Sequence, residues 1–170
     1  MTTTTGSTPP GGKSVALPGR RLDAIHCLLI PLHKETMLLP NAAIAEVIAY
    51  SEPESIPDAP DWLHGWLAWR DRKVPLISFE IASGRKVPSD IQGQRIAVLN
   101  TLNSNPRVPY IAVLIQDIPK LHLVQPDTVT ERNDVNPRQS IAAQLLANGE
   151  PVIVPDLDDL EQRVERLRSQ

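Results

Sequence analysis

At 170 residues the chain is long enough for one domain with a substantial core, or for two small lobes that share one. Apolar residues make up 41% and charged residues 22%, the balance of a soluble globular protein. A net charge of -3 leaves no basic field for nucleic acid or an anionic membrane, and 4% aromatics are too few for base-stacking platforms. No charged-then-apolar leader opens the sequence and no apolar run is long enough to span a bilayer, so no membrane insertion is expected and the cytoplasm is the expected compartment.

Residues 1–19 are Thr, Ser, Gly and Pro with little to bury, and are expected to form a flexible tail ahead of a domain over 20–168. Short apolar runs over 25–32 and 36–39 then predict two strands, the second punctuated by Pro40-Asn41. Residues 41–50 fit either a helical face, through Ile44, Val47 and Ile48, or a β-branched strand. A bend after Asn41 followed by a strand over 44–50 reconciles the two. A proline-bearing loop follows over 51–61.

Residues 62–80 hold all three tryptophans and the only phenylalanine. Periodicity predicts two extended runs, 66–69 and 74–79, joined by the charged turn Arg70-Asp71-Arg72-Lys73. Further strands are expected over 95–100, 110–115 and 121–124, with polar irregular chain over 127–138. Asn148-Gly149 lies between apolar runs and signals a hairpin, because both turn residues must take positive φ; this makes 141–147 a strand despite its helical propensity. The last segment is an amphipathic helix, with Leu157, Leu160, Val164 and Leu167 on one stripe. Asp156 caps it, acids fill its first turn, and Asp159 and Arg163 are spaced for an i,i+4 pair.

The chain carries 17 prolines, many within or beside apolar runs, which marks strand starts, edges and bulges. Eight to ten short strands with one terminal helix favour small closed barrels over a flat sheet.

A search for chemistry finds no catalytic constellation. His26, His33, His64 and His122 show no metal-ligand spacing. Asp156, Asp158 and Asp159 are explained by a helix start. Cys27 lies among apolar neighbours as a buried thiol, and adjacent His26 would point to the opposite face of a strand. Gly11-Gly12-Lys13-Ser14 ends like a phosphate loop but has a misplaced first glycine and no preceding strand. Neither catalytic residues, nor a metal, nor a cofactor is expected. The tryptophan block with its cationic turn remains, either as core with a solubilising tip or as an interaction surface, where Trp and Arg are enriched.

The order of these pieces resembles the CheW-like coupling domains of bacterial chemosensory arrays. Leu39-Pro40 precedes Ile44-Ala45-Glu46-Val47; a proline loop at 56–60 precedes Gly65-Trp66-Leu67-Ala68-Trp69-Arg70-Asp71; Val74-Pro75-Leu76-Ile77 follows, and residues 110–118 and 149–160 look like the family's second-half strand and its closing strand and helix. The resemblance covers about residues 21–167. It implies a mostly β fold of two five-stranded SH3-like barrels sharing a core, with a C-terminal helix. It also implies a non-catalytic adaptor that docks on the regulatory domain of a CheA-type histidine kinase and on the cytoplasmic tip of a chemoreceptor. By position it makes Arg70 the first candidate for docking, with Glu46, Gly65, Asp71, Ile44 and Val47 beside it. The chain departs from the family pattern at Ala68, Trp69, Asp71, Ser78 and Gln116, which points to a diverged, accessory member, for example of a pilus-linked system. The alternatives are an SH3-like scaffold for an unrelated signalling partner and a small enzyme using a histidine–acid pair.

Overall fold

A computed structural model describes residues 24–87 and 95–170; the expected tail and the phosphate-loop-like tetrapeptide lie outside the described residues. The chain starts in one sheet with β1 (Ile25–Pro31) and β2 (Thr36–Pro40). A single 3-10 turn, Asn41–Ala43, carries it into a second sheet, built from β3 (Ile44–Ala49), β4 (Leu63–Trp69), β5 (Arg72–Ile77), β6 (Arg95–Asn100) and β7 (Tyr110–Ile115). It then returns to the first sheet with β8 (Lys120–Val124), β9 (Val129–Glu131), β10 (Ile141–Ala147) and β11 (Glu150–Pro155). The strand orders are β8-β1-β2-β11-β10-β9 and β3-β6-β7-β5-β4. Pairing is antiparallel except between β2 and β11 and between β5 and β7.

The central strands β2, β6 and β7 are apolar on successive residues because both of their faces are buried. In β6, Ile96 and Val98 point into the second lobe's own core, while Ala97 and Leu99 point into a core shared with the other lobe. β7 repeats the alternation, with Ala112 inward and Ile111, Val113 and Ile115 in the shared core. The first lobe mirrors it. Cys27 and Leu38 fill its interior, and Ile30, Met37 and Leu39 meet the shared core. A residue alternation of two therefore separates one continuous apolar run into two cores.

The shared core is closed at one end by the terminal helix α2 (Leu157–Arg168), which inserts Leu157, Leu160 and Val164. Asp156 caps it by accepting from the Asp159 N–H at 3.0 Å. The expected ion pair between Asp159 and Arg163 is replaced by a bridge. The Ser140 hydroxyl lies 2.5 Å from the Asp159 carboxylate and accepts from Arg163 Nη1 at 2.7 Å. Arg163 also donates to the Ala82 carbonyl and stacks over Trp62 at 4.6 Å, so its cation is spent holding the helix to the body. Beside this network, Arg138 grips Glu35 through two bonds of 2.7 and 3.0 Å and donates to Ser83 Oγ.

The two-lobed, mostly β fold with a C-terminal helix is as expected, the first sheet has six strands where five were expected, and three local readings change. The turn between β4 and β5 contains two residues, Arg70 and Asp71, since Arg72 and Lys73 already pair with Trp69 and Ala68. Phe79 does not extend β5. It opens a one-turn helix α1 (Phe79–Ala82), capped by Ser78 accepting from the Ile81 N–H, and this swings the Phe79 ring fully into the shared core. The polar stretch expected to be irregular holds a 3-10 turn at Pro126–Thr128 and the short strand β9. The Asn148-Gly149 turn forms as predicted, at φ 49° and 82°. Prolines fall where the ladder needs no donor: Pro31, Pro40 and Pro155 close strands, and Pro75 precedes the point at which β5 meets β7.

Cys27 is buried in the first lobe, and burial pushes its thiol pKa up, which holds it in the unreactive thiol form. Its reaction with an aromatic disulfide reagent at pH 8 is expected to be at least about 100-fold slower in the native protein than in denaturant, since it awaits opening of the lobe. Equal rates in the two conditions contradict the packing described.

Candidate functional site

The second sheet would have two open edges, β3 and β4, if it were flat. Its twist brings them together. Glu46 on β3 accepts a 2.7 Å hydrogen bond from Trp69 Nε1 on β4, so a side-chain pair closes the lobe where no backbone ladder does. Ala45 and Ile48 of β3 pack on the same interior core as Leu67 and Trp69 of β4.

A β-bulge aims Glu46. The pairing of β3 with β6 shifts between Ile44 and Glu46, leaving Ala45 extra. Ile44 and Val47, three residues apart, then face the shared core together, while Glu46 shares the interior face with Ile48. Ile44 and Val47 are half-buried against that core. Their position gives them a packing role behind the site.

Arg70 and Asp71 form the tip of the β4–β5 hairpin at φ 44° and 58°. A two-residue hairpin whose twist matches its strands needs both residues left-handed. Aspartate tolerates that backbone and arginine does so at a cost of about 1–2 kcal/mol. The surroundings hold Arg70 there. Its Nη2 lies 3.2 Å from Glu46 Oε2, the same oxygen that accepts from Trp69, and its guanidinium stacks 4.7 Å from the Trp69 ring centroid. Trp69 meets Tyr110 edge-on at 4.9 Å. Tyr110 in turn underlies Arg72, at 5.9 Å.

The Arg70 side chain is 65% exposed and that of Glu46 38%, and an ion pair so wet contributes about 1 kcal/mol or less to stability. The contacts are better suited to orientation. They leave a guanidinium with fixed position and free N–H donors at the edge of the lobe. Asp71 is exposed beside it.

Gly65 lies apart from this cluster. At φ +144° it lets the loop after β3 approach, and a Cβ there would stand 2.1 Å from the Glu54 carbonyl oxygen. Glu54 and Trp66 exchange backbone hydrogen bonds of 2.8 Å each, which pins the loop to β4. Of the six residues singled out in the sequence, the structure joins Glu46, Arg70 and Asp71 at one tip. It places Ile44 and Val47 behind them and Gly65 at a loop anchor. Trp69, which holds both Glu46 and Arg70, is the member that the sequence reading left open between core and interaction surface. Its signal was available as a tryptophan directly before the candidate arginine.

Among the described residues, no group of three or more His, Cys, Asp or Glu side chains is arranged to hold a metal ion, and no helix is long and apolar enough to cross a membrane. A second exposed surface lies on the edge strand β8, where Leu121 is 67% and nearby Ile118 56% exposed.

A family model described as "CheW-like domain" matches residues 26–165. The fold is similar to the crystal structure of the scaffolding protein TtCheW from Thermoanaerobacter tengcongensis, with a TM-score of 0.64 at 13% identity, covering 78% of this chain and 88% of that one. At that identity the likeness is one of fold. Among curated proteins, none matches the chain in sequence.

Gly65→Ala is expected to cost about 2–3 kcal/mol or more, through steric overlap and a disfavoured backbone. Thermal unfolding followed by circular dichroism should show a midpoint lower by about 4–12 °C. An unchanged midpoint contradicts the close approach of Glu54.

Proposed function

The chain belongs to the CheW-like family, whose members are non-catalytic scaffolds of chemotaxis signalling, and from that premise we propose that it is an adaptor joining chemoreceptors to a CheA-type histidine kinase. It acts in the cytoplasm, at receptor arrays on the membrane. It docks on the kinase regulatory domain and on the receptor's cytoplasmic tip. Holding both raises their effective concentration and links receptor state to kinase activity.

The observation that carries this reading is the Arg70 tip. A guanidinium at the rim, oriented by Glu46 and stacked on Trp69, can donate charge-assisted bonds to a partner carboxylate or carbonyl with little ordering cost on binding. An adaptor also needs a second surface of different chemistry, and the apolar β8 edge lies on the other lobe. The departure at Ser78 leaves the local physics intact, because Ser and Asp are both good helix caps and Ser78 caps α1. Trp69 and Asp71 alter the tip itself, which is where a diverged member would change its partner.

Arg70→Glu is expected to weaken binding to a kinase regulatory-domain fragment or a receptor-tip fragment by about 100-fold or more, since reversing a charge at a contact costs several kcal/mol. The melting midpoint should move by no more than about 4 °C, because the surface pair contributes so little. Isothermal titration calorimetry and thermal melting check the two halves. Arg70→Ala serves as the second variant. Wild-type affinity in both variants removes Arg70 from the interface, and failure of the wild-type protein to bind either fragment favours a scaffold for an unrelated signalling partner.

A further inference from the structure

A second feature beside the hairpin has no part in the coupling reading. β5 and β7 run parallel only from Leu76 and Ala112 onward. Ahead of that point they separate, and the gap forms a groove of about 230 Å³. Val74, Pro75, Val108, Pro109 and Tyr110 are among the residues that line it. Four cations also line it: Arg72, Lys73, Arg107 and Arg168. No acidic residue does.

Nearby acids offset only part of this charge. Lys73 is paired with Glu54 at 2.6 Å, and Arg107 lies 3.8 Å from Glu165. Among the described residues, Arg72 and Arg168 have no carboxylate within 4.0 Å. Both are held over aromatic rings, Arg72 on Tyr110 at 5.9 Å and Arg168 on Trp66 at 4.4 Å. Arg168 also donates to the Arg107 carbonyl, which ties the end of α2 to the loop before β7. In a chain of net charge -3, this is a local concentration of positioned positive charge.

We propose that this groove binds an extended acidic segment of a partner protein, its carboxylates meeting Arg72 and Arg168 and its apolar side chains lying on Pro75, Pro109 and Tyr110. A compact anion such as phosphate is a poor fit. It needs several donors converging on one point, including backbone N–H groups, and three of the ten lining residues are prolines that have none. Cations spaced along an apolar floor match carboxylates spaced along a chain. The chain's own first 23 residues are excluded by charge, since they carry Lys13, Arg20 and Arg21 against the single acid Asp23. The inference stands independently of the coupling reading, since its probe contains neither kinase nor receptor sequence.

The probe is a fluorescein-labelled decapeptide alternating glutamate and leucine, with a lysine–leucine peptide as control, followed by fluorescence anisotropy on the full chain. The acidic peptide is expected to bind and the basic one not. Arg72→Ala and Arg168→Ala, both of exposed side chains, should each weaken it at least about fivefold with melting midpoints moved by no more than about 4 °C, and Lys120→Ala on the other lobe should leave it unchanged. Raising salt from 0.05 to 0.5 M should weaken it further. The proposal is overturned if the peptide does not bind, if Lys120→Ala weakens it as much as the groove variants, or if inorganic phosphate at millimolar concentration displaces it. It is also overturned if sedimentation shows that a second copy of the chain occupies the groove.

Discussion

Everything in this protein depends on strands that are buried on both faces. A sheet with one wet face can tolerate a polar residue at every second position, but β6 and β7 cannot, because their alternate side chains enter two different cores. Each fully buried Leu, Ile or Val contributes about 1.5–3 kcal/mol. Residues from both sheets and from α2 meet in the shared core, so neither lobe can shed its partner without exposing that set. Phe79 shows how strong the demand is. The chain abandons strand after Ile77 and makes a single helical turn whose effect is to bury that ring.

The candidate site is built at the place where this arrangement leaves a gap. The second lobe is closed by backbone pairing everywhere except between β3 and β4, where one carboxylate oxygen of Glu46 joins Trp69 and Arg70. A contact worth little in stability thus sets the direction of an exposed guanidinium. The rigidity comes from below. Trp69 is buried and braced by Tyr110, and the bulge at Ala45 fixes Glu46 relative to the shared core through Ile44 and Val47. The cationic groove opens elsewhere in the same lobe, where β5 and β7 diverge ahead of their parallel pairing.

Much of this was legible in the residues. Apolar runs bounded by proline located most strands to within a residue or two, Asn148-Gly149 marked its hairpin, and the stripe from Leu157 to Leu167 marked α2. What escaped was short or non-local. α1 spans one turn, too little for a helical period to show, and β9 is three residues of mostly polar chain held by β10. The Asp159–Arg163 pairing failed because tertiary partners, Ser140 and Ala82, outbid a neighbour on the same helix. Within the site, the family resemblance pointed to Glu46 and Arg70, whereas their connection through Trp69 depends on closure of the lobe across 23 residues of sequence. Gly65 drew notice as a docking candidate by resemblance, whereas its structural role, admitting the Glu54 carbonyl, depends on a loop contact that the sequence does not display.

The central claim is that Glu46 matters to docking through the position it gives Arg70. A double-mutant cycle measures this directly, with Glu46→Gln, Arg70→Ala and the double variant titrated against the kinase regulatory-domain fragment by calorimetry. The account predicts that Glu46→Gln weakens binding in the wild-type background and has almost no further effect once Arg70 is gone, a coupling of about 1 kcal/mol or more. Strictly additive losses, or undiminished binding by Glu46→Gln, would contradict it.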